Sequence, residues 1–181
     1  MHKVLSIGSY AAMDAKALSA EFGGPTLPAL ADLDSLPDAV RAAIIAVACK
    51  SHEAFGAAEM DKLPALGLIA RYGVGYEAVD LPAAAARGIV VTNTPDVLND
   101  DVADLAVAMW LGLLREVERG IANVRSGDWA KGGPPLARKA TGRRVGILGM
   151  GRIGRELADR LAAFKCEVHY SARSPKDTPN G

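Results

Sequence analysis

The stretch Arg144-Val145-Gly146-Ile147-Leu148-Gly149-Met150-Gly151-Arg152-Ile153-Gly154 constrains this chain more than any other. An apolar run ends in glycines spaced G-x-G-x-x-G. Ile153, Leu157, Leu161 and Phe164 then recur at helical spacing over Arg152–Phe164, and a second apolar run follows at Cys166–Tyr170. Strand, glycine turn, helix, strand is the context in which this weak motif gains meaning. Gly149 allows the tight turn out of the strand. Gly151 removes a side chain so that the backbone can approach a pyrophosphate, and Gly154 lets the helix lie close on the strand. The free N–H groups at the helix start offer that anion donors and a partial positive charge. A glycine turn with no ligand is the competing reading of the same residues.

The preceding residues alternate short apolar runs with Ala-rich helical stretches. Strands are expected at Lys3–Gly8, Thr26–Leu30, Ala43–Cys49, Leu66–Arg71 and Ile89–Asn93. Helices are expected at Ala11–Phe22, closed by Gly23-Gly24, at Ala54–Leu63, and at Leu81–Arg87, which carries Pro82 near its start and ends at Gly88. Continuous β-branched runs between helices indicate parallel strands buried on both faces, hence a doubly wound α/β class. Thr94-Pro95-Asp96 breaks the rhythm. A long helix is expected from Asn99 to about Arg119, with Val102, Leu105, Ala106, Met109, Trp110, Leu113 and Val117 as its apolar stripe. Residues 120–142 read as an irregular arm, and Pro175–Gly181 shows no periodicity. No internal repeat of fixed period is present.

Composition narrows the function classes. The 181 residues are 50% hydrophobic, and 21 Lys+Arg balance 21 Asp+Glu. A chain without a basic excess is a poor candidate for phosphate-driven nucleic-acid binding or for a polybasic membrane surface. Cys49 and Cys166 form no CxxC pair, so neither a disulfide framework nor a metal site is expected. No apolar run reaches membrane-spanning length, and the opening residues are too short a run for a signal peptide. The expectation is a cytoplasmic enzyme or binding domain.

The end of the strand after the glycine turn bears on cofactor choice. A carboxylate about 20 residues past the turn would hold ribose hydroxyls. That slot is Ser171, and Arg173, Ser174 and Lys176 follow. A hydroxyl with cations accepts a 2′-phosphate that a carboxylate would repel, so NADP is expected, with NAD as the alternative. The bland reading leaves Arg173 and Lys176 as solvated charges.

Four stretches together resemble the D-isomer-specific 2-hydroxyacid dehydrogenases: Arg71–Asp80 (RYGVGYEAVD), Gly88–Asp96 (GIVVTNTPD), Asp101–Asp104 (DVAD) with its apolar helix, and Gly142–Phe164. Within that family the likeness is to the glyoxylate/hydroxypyruvate reductases and the hydroxyphenylpyruvate reductases, and Tyr170–Ser174 fits their NADP-using branch. The resemblance implies a flavodoxin-like parallel-sheet substrate domain over residues 1–98. Residues 99–181 would then supply a dimerisation helix, an arm and the first βαβ unit of a Rossmann cofactor domain. It implies that Val74 and Gly75 hold the substrate carboxylate, with Val74 also beside the nicotinamide. It further implies that Gly151, Arg152 and Ile153 grip the pyrophosphate, and that residues 100–140 build a homodimer. The competing, weaker reading is that Gly73 and Gly75 simply make a turn.

The family reduces 2-oxo acids by hydride transfer, using an Arg, a Glu and a His that the resemblance places beyond Gly181. No catalytic residue is therefore expected in this chain, and no turnover by it alone. His2, His52 and His169 have no evident acid/base partner in sequence, and His169 reads as structural. Trp110 reads as core or dimer contact, and Trp129 as a residue that could reach a neighbouring active site. Two other readings compete with the reductase: a dinucleotide-sensing module like the family's corepressor relatives, and a non-catalytic dimerising fragment.

Overall fold

A computed structural model describes residues 3–176. The chain folds as two compact units, Met1–Pro95 and Asp96–Gly181. His2 and the end of the aperiodic tail lie outside the described residues.

The first unit runs β1 (Val4–Gly8), α1 (Ala12–Phe22), β2 (Thr26–Leu27), a 3-10 turn (Leu30–Ser35), α2 (Asp38–Arg41), β3 (Ala46–Lys50), α3 (Ala57–Asp61), β4 (Leu68–Arg71), α4 (Leu81–Ala86) and β5 (Val90–Thr92). Its sheet is wholly parallel, in the order β2-β1-β3-β4-β5. This is the flavodoxin-like order, whose direction of winding reverses between β1 and β3. Gly23 caps α1 in the left-handed conformation, and the Asp80 carboxylate caps α4 by accepting the N–H of Ala83.

Leu5, Ile7, Val47, Cys49 and Ile69 alternate into one core with Leu33, Ile44, Phe55, Met60 and Leu63. The strands are not buried on both faces as their apolar runs suggested. In β1, β3 and β4 buried residues alternate with half-exposed ones. Helix α1 likewise buries none of its residues, and its Met13 and Phe22 stay exposed. Two elements are also shorter than expected. The expected strand Thr26–Leu30 keeps two residues before turning into the 3-10 segment, and the expected helix Ala54–Leu63 is helical only over Ala57–Asp61.

The second unit runs α5 (Asn99–Arg115), α6 (Val117–Ser126), a 3-10 turn (Asp128–Lys131), β6 (Arg144–Leu148), α7 (Arg152–Ala163) and β7 (Glu167–Ser171). The long helix is thus two helices. Glu116 takes φ +50° and ψ +46°, closing α5 and opening α6. Most of 117–131 is therefore ordered, and the irregular arm is confined to 132–143. Strands β6 and β7 pair in parallel from Arg144–Glu167 to Leu148–Ser171. Helix α7 packs on them through Ala158 and Leu161, beside Ile147 and Met150.

Of the α5 stripe, Trp110 joins this core, edge-on to Phe164 with centroids 5.4 Å apart. Leu105, Met109 and Leu113 stay exposed, at 60%, 60% and 78%. Arg160 on α7 ties the two helices together through Asp100 and Asp104 of α5 and Glu156 of its own helix. Both cysteines are free thiols. No helix of the described residues is long and apolar enough to cross a membrane.

Candidate functional site

Two sites emerge, one in each unit. In the second unit, each glycine of the turn has a different reason to be glycine. Gly149 holds φ +99°, which a side chain resists. A Cβ on Gly154 would stand 2.2 Å from the Gly149 carbonyl oxygen, so this glycine lets α7 meet the turn. Gly151 meets neither constraint. Its φ is −87° and a Cβ there would touch nothing within 4 Å. The fold leaves the space over Gly151 open, which suits a ligand that approaches the backbone.

Gly151 caps α7, and its carbonyl accepts the N–H of Arg155. The N–H groups of Arg152, Ile153 and Gly154 are those that an α-helix leaves without intrahelical partners. The Gly149 N–H is already used by the Ser171 carbonyl at 2.9 Å. That bond joins the end of β7 to the glycine turn.

Gly149, Gly151, Ser171, Arg173, Ser174 and Lys176 line one open cleft of about 960 Å³. The loop after β7 is held by Tyr170, whose hydroxyl donates to the Lys176 carbonyl at 3.0 Å and accepts its N–H at 2.8 Å. Sequence reasoning gave Tyr170 no role of its own. The side chain of Arg152 lies outside the cleft lining and pairs with Asp96 at 3.1 Å. His169 has a partner after all: Glu167, two residues back on the same exposed strand, at 2.8 Å.

In the first unit the loop Gly73-Val74-Gly75 follows β4. Its three carbonyls are all held by the protein. Thr94 N–H donates to Gly73 O at 3.0 Å, Asn93 Nδ2 to Val74 O at 2.8 Å, and Arg71 Nε to Gly75 O at 3.3 Å. The N–H groups of these three residues make no hydrogen bond among the described residues. Consecutive amides left free at the carboxyl end of a parallel strand are donors available to an anion. Gly73 needs its φ of +155°, whereas a Cβ on Gly75 would meet only the flexible Glu77 carboxylate. Gly73 is thus a turn residue, and the turn reading does not explain Gly75.

Arg71, almost wholly buried, also donates to Cys49 Sγ and to the Ser51 carbonyl, tying the loops after β3 and β4 together. Neither Asn93 nor Arg71 stood out in the sequence. The one available signal was the Thr94-Pro95 break beside Asn93. Nearby, the Tyr10 hydroxyl makes no hydrogen bond among the described residues, and burial pushes its pKa up to about 12. Among the described residues no group of three or more His, Cys, Asp or Glu stands close enough together to hold a metal ion.

With this geometry in place, the family model of the D-isomer specific 2-hydroxyacid dehydrogenase catalytic domain matches residues 11–174. The chain belongs to this family. It is 44% identical over 137 residues to the hydroxyphenylpyruvate reductase of Plectranthus scutellarioides, covering 76% of this chain and 44% of the relative. It is 46% identical over 114 residues to a glyoxylate/hydroxypyruvate reductase of Arabidopsis thaliana, covering 63% of this chain and 36% of that one. Among solved structures, the 2-hydroxyacid dehydrogenase from Ketogulonicigenium vulgare Y25 superposes with a TM-score of 0.87 at 43% identity. That match covers 99% of this chain and 58% of the other.

An NADPH-dependent glyoxylate/hydroxypyruvate reductase from Sinorhizobium meliloti, in complex with NADP and malonate, gives a TM-score of 0.81 at 34% identity, over 98% of this chain and 55% of that one. The chain therefore spans less than half the length of the curated relatives it matches.

Proposed function

We propose that this chain supplies the substrate domain and the opening βαβ unit of the cofactor domain of an NADP(H)-dependent 2-hydroxyacid dehydrogenase. Its substrates are small 2-oxo acids such as glyoxylate or hydroxypyruvate. The observation that carries the reading is the open space over Gly151 at the start of α7, in one cleft with Ser171, Arg173, Ser174 and Lys176.

The residues present fit the dinucleotide. The amides of Arg152 and Ile153 hold its diphosphate. Ser171, Arg173, Ser174 and Lys176 hold a 2′-phosphate, and no carboxylate stands at the end of β7 to repel it. When bound, the nicotinamide supplies hydride. In the first unit, the amides of Val74 and Gly75 hold the carboxylate of the 2-oxo acid. The Thr94 N–H and the Asn93 side chain keep those amides turned outward by occupying the Gly73 and Val74 carbonyls that share their peptide planes. The exposed apolar face of α5 and α6 is covered by a second copy of the chain.

Fluorescence titration tests the cofactor assignment. Arg173→Ala is expected to weaken NADPH about tenfold, the effect of losing one charge-assisted hydrogen bond, and to leave NADH almost unchanged. An equal loss for both cofactors would sink the 2′-phosphate assignment.

A further inference from the structure

The side chain of Arg152 is largely exposed and meets one carboxylate. Its Nε lies 3.1 Å from Asp96 Oδ1, and the same oxygen accepts the Nδ2–H of Asn99 at 2.9 Å. Asp96 stands at φ +70°. An L residue enters that region at a cost, which aspartate bears better than most and glycine does not bear at all. What the position gains from aspartate over glycine is the carboxylate. Its contact with Arg152 is an ion pair without an aligned hydrogen bond, so the guanidinium spends none of its five N–H donors on a described residue.

Arg152 is also the first residue of α7. Its guanidinium therefore stays within one side-chain length of the free amides at that helix start. A long unpaired arginine would have to give up its rotamer freedom on meeting a phosphate. A bare carboxylate at position 96 would repel the same phosphate. The pair removes both obstacles together, because Asp96 confines the guanidinium and Arg152 neutralises the carboxylate.

We propose that Asp96 is a positioning residue for the diphosphate of the dinucleotide: it keeps the Arg152 guanidinium beside the start of α7 with its hydrogen-bond donors free for a phosphate oxygen. This rests on the diphosphate reading of the β6–α7 turn.

The test is calorimetric titration of the 181-residue chain with NADPH, ADP and adenosine 2′-phosphate, of which only the last lacks a diphosphate. Asp96→Ala is expected to weaken NADPH and ADP about two- to fivefold, the worth of one exposed ion pair, and to leave adenosine 2′-phosphate unchanged. Asp96→Asn, which tolerates the same φ and keeps an acceptor oxygen, falls between the two. In an Arg152→Gln background, Asp96→Ala has no further effect. Unchanged or tighter NADPH and ADP binding in Asp96→Ala overturns the proposal, and so does an equal loss for all three ligands. If the unsubstituted chain binds neither NADPH nor ADP, the diphosphate reading falls and this inference falls with it.

Discussion

A methyl group at position 154 would press within 2.2 Å of a backbone oxygen, and one at position 151 would meet nothing. Two glycines of one motif therefore separate folding from binding. Gly154→Ala forces the turn and α7 apart and is expected to lower stability by about 1–3 kcal/mol, the usual cost of overpacking. Thermal melting reads that loss directly. Gly151→Ala keeps an allowed φ and is expected to leave the melting temperature unchanged or to raise stability by about 0.4–1 kcal/mol, as such glycine replacements do. The same variant should weaken NADPH about tenfold or more, because the added methyl occupies the ground a phosphate oxygen needs. A Gly151→Ala protein that melts early and binds normally would show that the glycine serves the fold and not the cofactor.

At the scale of elements, Arg160 joins α7 to α5 through Asp100 and Asp104. The hydrogen bond from Arg160 holds the Asp100 carboxyl below the ordinary carboxylate range. A carboxyl with a depressed pKa stabilises the folded state above its unfolded value, and that contribution is lost as pH falls through the folded value. The second unit should therefore lose stability as pH drops below about 4. Arg160→Gln should lower its melting temperature at pH 7 and flatten that acid slope, and an unaltered slope would show that the cluster is ornamental.

These same elements mark how far the sequence could be read. The 3.6-residue spacing of Ile153, Leu157 and Leu161 placed α7 correctly, and Leu157 and Leu161 pack with β6 and β7 while Ile153 stays exposed. The break at Glu116 was not legible, because a left-handed cap on a residue other than glycine carries no compositional mark. The bonds from Asn93 to Val74 and from Arg71 to Ser51 span 19 and 20 positions, beyond the reach of any local pattern. The glycines of both candidate sites could be found from sequence, and the side chains that hold the loops in place could not.

Across the whole chain, the two units differ sharply in what they bury. The first closes a core with buried residues from four of its strands, Val91 of the fifth packed against them, and the segments between. Among the described residues the second buries Ile147, Met150, Ala158 and Leu161 in its cluster and, besides them, the small Ala103 and Ala140, while Leu113 stays 78% exposed and Leu136 99%. A unit with so little buried apolar surface has little stability of its own, since burial is the dominant favourable contribution to folding. Unfolding should therefore show two transitions, the weaker belonging to the second unit.

Leu105, Met109 and Leu113 repeat at helical spacing on one exposed face of α5. Two copies of such a face can cover each other about a two-fold axis. Self-association binds only the folded form, so it raises the weaker transition by mass action and makes it depend on protein concentration. Differential scanning calorimetry over a hundredfold concentration range should show that transition climbing while the stronger one stays fixed. Leu113→Glu places a charge in the middle of the face. It should abolish the dependence and give a monomer by light scattering, without lowering the stronger transition. If the weaker transition ignores concentration in the unsubstituted chain, the α5 face is not covered by a second copy.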